Sequence, residues 1–304
     1  MVRLTELSET ELLAPGHRLC AGCAAPVILR QIFKAARVPP VVVNATGCVE
    51  VSTTIYPFTS WRTPWVHIAF ENAAAVASGI EAAYKAMARR GVEVKAKVIA
   101  VAGDGGTFDI GIQAMSGAFE RGHNFLYVCY DNEAYMNTGI QRSGATPHGA
   151  ATTTSAAGSV VPGKPEWKKN LVEIAVAHGI PYAATVSPAY WNDLITKAQK
   201  ALETAGPTFI HAIAPCPRGW RTDPSRSIEM ARTAVMTNFF PLYEVENGIH
   251  KLTFKPRKQI PVEEYLKGQG RFRHLFKPEF KHVVEDIQKN VDERWRRLLR
   301  LCED

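Results

Sequence analysis

Between residues 40 and 214, short apolar runs alternate with segments of helical periodicity, and that alternation fixes the class of fold. PVVVNATGC (40–48), which runs into a loop that holds Cys48, AKVIAVAGDGG (96–106), NFLYVCYDN (124–132) and the runs 181–186 and 207–214 have the length and apolarity of buried strands. AAPVILRQIFKAA (24–36), ENAAAVASGIEAAYKAMARRG (71–91), DIGIQAMSGAFERG (109–122), 168–178 and 189–204 have helical spacing. Strands without a polar face need cover on both sides. The pattern therefore predicts an α/β fold, a mainly parallel sheet with helices on both faces. Such sheets bind ligands at the carboxyl ends of their strands. ATGC, AGDGG, YDNEAYMN and APCP all fall there, so the unusual chemistry collects at one edge.

Residues 133–167 lack periodicity, and a loop of that length in a compact domain is a functional segment or a disordered one. After Trp220 the alternation stops. An extended, irregular arm without a core of its own is expected there, closed by a charged helix over 279–302.

The net charge of +7 comes from basic residues interspersed with acidic ones. No aromatic-plus-basic motif or zinc-finger spacing accompanies them, which argues against a nucleic-acid partner. No apolar stretch is long enough to span a bilayer, and MVRLTELSETELL has no apolar signal core, so no membrane association or export is expected. A cytoplasmic location follows. There thiols stay reduced, and the CxxC of HRLCAGC signifies a metal or redox site more readily than a structural disulfide.

The turn after the strand ending at Ala102 reads GDGGTF. A dinucleotide fingerprint fails, because Phe108 stands where the third glycine belongs. An aspartate beside a pyrophosphate repels it unless a cation lies between. Mg2+ fits, since it combines one or two protein carboxylates with substrate phosphates. Asp104 can offer a carboxylate oxygen, Asn132 an amide oxygen and Ala134 a backbone carbonyl. Gly103, Gly105 and Gly106 allow close backbone approach to a diphosphate, and the helix near Asp109 can aim its N–H groups at it. A GDG turn with an asparagine at the next strand end, 26 residues beyond Gly106, is the thiamine diphosphate signature.

GHRLCAGC, ATGCVEVSTTIYPFTSW, AFENAAAVASGIEAAYKA, GDGGTFDIG, YDNEAYMNTGIQRSGATP and PLYEVENG together resemble the β subunit of pyruvate:ferredoxin oxidoreductase and related 2-oxoacid:ferredoxin oxidoreductases. The likeness covers nearly the whole chain. It implies the diphosphate-binding half of a thiamine diphosphate fold and one [4Fe–4S] cluster, with ligands at Cys20, Cys23, Cys48 and Cys216. Four thiolates are the usual complement of such a cluster. Spacing alone leaves four-cysteine zinc open, and a thioredoxin-like dithiol would leave the thiamine motif unexplained. Cys129 reads as a buried hydrophobe inside its strand and Cys302 as incidental. Gly106 stands where some relatives carry a large aromatic, which implies different packing near the cofactor.

The resemblance further implies oxidative decarboxylation of a 2-oxoacid, pyruvate in the main reading. Electrons leave one at a time through the cluster to ferredoxin, and coenzyme A takes the acyl group. Asn137 would face the reacting carbon and stabilise a developing oxyanion. The glutamate that activates thiamine would come from a partner α subunit, with γ and ferredoxin-like δ subunits completing the assembly. Glu50 and Glu71 are candidates within this chain only in principle; Glu71 suits a helix start. Arg142 and His148 are candidates for meeting a substrate carboxylate or simply facing water. The organisation expected is a binding domain over 1–220 and an arm over 221–304 for subunit contacts. The alternatives are another 2-oxoacid or oxalate as substrate, or a non-catalytic iron–sulfur subunit.

Overall fold

The computed structural model describes residues 3–303. Eight strands form one sheet: β1 (Pro40–Ala45), β2 (Trp65–Ile68), β3 (Lys97–Gly103), β4 (Phe125–Asp131), β5 (Tyr182–Val186), β6 (Thr208–Ile213), β7 (Tyr243–Glu246) and β8 (Ile249–Leu252), in the order β2-β1-β3-β4-β6-β5-β7-β8. The first six are parallel, and β7 and β8 add an antiparallel edge. The five strands expected from apolar runs are all present. β2 escaped notice because its four residues, WVHI, are only partly buried and carry no apolar run.

Pleating sends neighbouring side chains to opposite faces. Val42, Ile99 and Val101 pack with α1 (Ala24–Lys34) and α6 (Trp191–Glu203), on one side. Val43, Val98 and Ala100 pack with α3 (Ala73–Arg89), α4 (Ile112–Glu120) and α5 (Leu171–Val176), on the other. Strands this uniformly apolar fit only a sheet covered twice.

Two expectations need correction. Cys48 does not sit in a loop: it opens α2 (Cys48–Thr53), too short and polar to show periodicity. The segment after Trp220 is not an irregular arm without a core. After α7 (Pro217–Trp220) and α8 (Ser227–Met236), the β7–β8 hairpin joins the sheet beside β5. Trp220, Met230, Val235, Tyr265, Phe272 and Val291 form a third apolar cluster with Ile213 of β6. Aromatics at irregular spacing build that cluster, so no single period reveals it. α9 (Val262–Lys267) and the charged helix α10 (Lys281–Glu303) close the chain.

The sheet order reverses direction between β1 and β3. Brändén-type crevices open at such points, outside the strands' carboxyl ends. Here the crevice lies between Thr46-Gly47-Cys48 and the glycine turn.

Candidate active site

A cleft at this switch point is lined by Thr46, Gly47 and Cys48 after β1, by Gly103–Gly106 after β3, and by Tyr130, Asn132 and Ala134–Thr138 at the end of β4 and beyond. Helical winding begins immediately after Asp104, as a π-type turn over Gly105–Asp109, four residues ahead of the helix start read from the sequence. The glycines serve the chain's own packing first. A Cβ on Gly105 would lie 2.2 Å from the Tyr135 ring, and one on Gly106 2.8 Å from the Phe70 carbonyl oxygen. The latter contact leaves no room for a large aromatic at Gly106. Tyr135 also donates its hydroxyl to the Gly105 carbonyl at 3.0 Å. Gly105→Ala is therefore expected to displace that ring and cost about 1–3 kcal/mol by overpacking, read as a lowered unfolding midpoint. An unchanged midpoint would show that Tyr135 swings aside freely.

Asp104, Asn132 and Ala134 are brought together and are nearly inaccessible, at 1%, 8% and 4% exposure. One terminal atom of the Asn132 amide lies 2.9 Å from the Ala134 carbonyl oxygen and 3.0 Å from Asp104 Oδ1. With nitrogen there, two hydrogen bonds form; with oxygen there, three oxygens face one point. Three converging oxygens suit a hard cation. Burial and then Asp131 push the Asp104 carboxyl well above its ordinary value, although the Ser143 hydroxyl donates to it. A cation at that point relieves both penalties.

Behind it, Asp131 is fully buried, and burial would raise its carboxyl. Lys168 and His211 outweigh that and hold it below the ordinary range. Neither Ser143 nor this charge network was singled out from the sequence. A run of two carboxylates around an asparagine at the end of an apolar strand was the available signal.

The segments that carry Cys20, Cys23, Cys48 and Cys216 are tied to one another. The Ala24 N–H donates to the Pro215 carbonyl at 3.3 Å, tying the CAGC loop to the residue before Cys216, and the Arg18 N–H donates to the Ser52 carbonyl at 2.8 Å, tying it to α2. Gly22 has φ +74°, and a Cβ there would lie 2.3 Å from the Pro224 carbonyl oxygen, so only glycine fits this loop as packed. Burial, then Cys216 and Cys20, pushes the Cys23 thiol up to about 12. Burial, then Cys216, Cys23, Cys20 and Asp104, does the same to Cys48. The thiols thus lie within electrostatic reach of one another. Their donor chemistry suits a soft metal centre, which supplies the charge that thiolates need. Among the described residues no three His, Cys, Asp or Glu side chains are close enough to be grouped as a metal site. Cys129 is fully buried in β4 and apart from this group.

The other candidates lie at the cleft's rim or beyond it. Asn137 is exposed on the cleft's lip. Arg142 lies 3.8 Å from Glu166, and His148 packs at a tilt against Trp167 with Nδ1 2.8 Å from the Pro165 carbonyl; neither lines the cleft. Glu50 accepts from the Thr54 hydroxyl and lies 3.7 Å from His67. Glu71 lies two residues before α3 and accepts from Asn72.

Residues 45–212 match the family described as thiamine pyrophosphate enzyme, C-terminal TPP binding domain. The pyruvate synthase subunit PorB of Methanocaldococcus jannaschii is 56% identical over 93% of this chain and 95% of its own length. The chain belongs to the PorB family. The Thermotoga maritima PorB is 51% identical over 96% of this chain and 92% of its own. The ketoisovalerate oxidoreductase subunit VorB of Pyrococcus furiosus is 47% identical over 95% and 92%. A 2-oxoglutarate:ferredoxin oxidoreductase from Magnetococcus marinus, solved with 2-oxoglutarate, coenzyme A and succinyl-CoA bound, matches at TM-score 0.55 and 21% identity. It covers 74% of this chain and 78% of that one, and shows the common fold. As a PorB-family member the protein is a subunit of a thiamine diphosphate-dependent oxidoreductase. Among its described residues no helix is long and apolar enough to cross a membrane.

Proposed function

We propose that this chain holds the diphosphate of thiamine diphosphate, its Mg2+ and one [4Fe–4S] cluster in a cytoplasmic enzyme. That enzyme converts pyruvate and coenzyme A to acetyl-CoA and CO2 and passes the electrons to ferredoxin. One observation supports the reading most: the Asp104 carboxylate, the Asn132 amide and the Ala134 carbonyl lie together in a cleft at the end of the sheet, and Cys48 lines the same cleft. A non-catalytic electron carrier has no use for those three groups. When bound, thiamine diphosphate supplies a carbanion nucleophile and an electron sink.

The protein's part is to bind, orient and conduct. Asp104, Asn132 and the Ala134 carbonyl would hold Mg2+, with the N–H groups that open the turn at Gly105 facing the diphosphate. Asn137, on the lip, would offer an amide N–H to a developing oxyanion. Cys20, Cys23, Cys48 and Cys216 would hold the cluster, which would supply a one-electron acceptor, and Cys48 also lines the cleft. No glutamate lines the cleft among the described residues. The activating carboxylate would therefore come from a partner α subunit, with γ and ferredoxin-like δ subunits completing the enzyme. Residues 221–304 would contribute to those subunit contacts. A branched 2-oxoacid is the second reading, favoured by the 47% identity to VorB.

Low-temperature EPR on the anaerobically purified complex tests this. Pyruvate with coenzyme A is expected to produce a reduced-cluster signal, and the purified single chain is expected to oxidise no 2-oxoacid. A signal with ketoisovalerate but not pyruvate moves the substrate to the second reading. No iron–sulfur signal even with dithionite overturns the cluster assignment and returns the four thiols to zinc.

A further inference from the structure

In the run Asp131-Asn132-Glu133-Ala134 the residues alternate between two jobs. Asn132 and Ala134 line the cleft, whereas Asp131 and Glu133 are fully buried and do not. One ammonium joins the buried pair: Lys168 Nζ lies 2.5 Å from Asp131 Oδ2 and 2.8 Å from Glu133 Oε1. Asp131 Oδ1 accepts the Glu133 N–H at 2.9 Å, and Arg271 donates to the other Glu133 oxygen. These ties hold Glu133 at φ +69°, a left-handed conformation that strains a residue with a side chain.

Lys168 is anchored in turn. Its neighbour Lys169 donates to the Phe108 carbonyl at 2.6 Å and lies 3.1 Å from Asp109 Oδ1. Two consecutive lysines therefore span the strand end that carries Asn132 and the glycine turn that carries Asp104.

The charge on Lys168 is at odds with a cation site. Burial opposes that charge, but Asp131 and then Glu133 outweigh burial and hold the ammonium above its ordinary value. It also lies within electrostatic reach of Asp104. A fixed positive charge there repels a metal ion, so losing the charge alone would tighten metal binding. The link that Lys168 makes works the other way. Without it, Arg271 remains for Glu133, and Asp131 keeps only His211, which burial disfavours in its charged form. Two buried carboxylates on either side of Asn132 then push apart. Charge and link predict opposite signs.

We propose that Lys168 is a positioning residue for the metal: it clamps Asp131 to Glu133 so that the Asn132 and Ala134 oxygens stay aimed beside Asp104. The proposal rests on the thiamine reading above and does not involve the four thiols.

The test is a titration of the metal-stripped complex with Mn2+, standing in for Mg2+, at saturating thiamine diphosphate, with the free ion followed by EPR. K168M is expected to bind Mn2+ about 10–100-fold more weakly, the usual cost of losing a partner behind metal ligands. K168M/D131N restores the charge balance without the clamp. Its unfolding midpoint should recover toward wild type while its Mn2+ affinity stays at least about tenfold down. K197M is the matched control, because Lys197 is 1% exposed and lies 2.8 Å from Asp193 on α6, away from the cleft. It should lower the midpoint and leave Mn2+ affinity unchanged. Unchanged or tighter Mn2+ binding in K168M overturns the proposal, as does affinity that returns with the midpoint in K168M/D131N. An equal loss of affinity in K197M reduces the effect to general stability and overturns it too. Should K168M fail to assemble, wild-type Mn2+ affinity in K168M/D131N overturns the clamp. A wild-type complex that binds Mn2+ no better with thiamine diphosphate than without it fails earlier, at the thiamine reading, and is recognised as such.

Discussion

The D104N holoenzyme is expected to bind thiamine diphosphate and Mg2+ at least about a thousandfold more weakly than wild type, with turnover lost in proportion. Asparagine preserves the size of the side chain and one oxygen, so the loss is that of a charge. At an effective dielectric of 20, two unit charges about 4 Å apart attract by about 4 kcal/mol, and ~4 kcal/mol is roughly a thousandfold in affinity. A divalent ion makes this a lower bound. Among the described residues no lysine or arginine is paired with Asp104; Lys168 bonds to Asp131 and Glu133 instead. The Ser143 hydroxyl donates to Asp104. Ser143→Ala should therefore cost less, about 1.5–3 kcal/mol for a hydrogen bond to a charged group. Titration calorimetry of the complex with thiamine diphosphate at fixed Mg2+ ranks the two variants. Wild-type affinity in D104N would remove Asp104 from the metal site, and the three-oxygen reading with it.

The ranking depends on contacts that the sequence shows only in part. The GDG turn and the asparagine after the next strand announce a diphosphate–metal site, because each type of atom needed is visible in the letters. Which neighbours hold those atoms is not visible. Ser143 reaches Asp104 from a loop 39 positions away, and Trp220 reaches Asn132 from 88 away. No local period encodes either contact. The same reason hid the C-terminal cluster. Strands β1, β3, β4, β5 and β6 declare themselves by continuous apolarity, since both faces are covered. Residues 221–280 bury aromatics one or two at a time between short turns, so burial there belongs to tertiary packing. The glycine turn was legible in identity and only partly in purpose: Gly105 and Gly106 make room for Tyr135 and Phe70 as well as for a ligand.

Cys48→Ser carries the second large effect and separates the two halves of the site. Cys48 lines the cleft and is also in electrostatic contact with Cys20, Cys23 and Cys216. Serine keeps the first position of α2 filled with a side chain of nearly the same shape. It removes a soft thiolate ligand and leaves Asp104, Asn132 and Ala134 untouched. Loss of even an outer-shell partner costs a metal site roughly 10–100-fold, and a direct ligand should cost at least the upper figure. The C48S holoenzyme should therefore lose the pyruvate-induced EPR signal and fall at least about 100-fold in ferredoxin reduction. Its affinity for thiamine diphosphate should stay within about tenfold of wild type, which is ~1.4 kcal/mol.

Cys129→Ser is the matched control. It buries a hydroxyl in β4, a stability penalty of about 1–3 kcal/mol without a partner, yet should keep the signal. A four-iron signal retained in C48S would exclude Cys48 as a ligand. Stoichiometric zinc in the wild-type complex, with no iron at these thiols, would leave the thiamine half of the site standing and require the electrons to leave by another route.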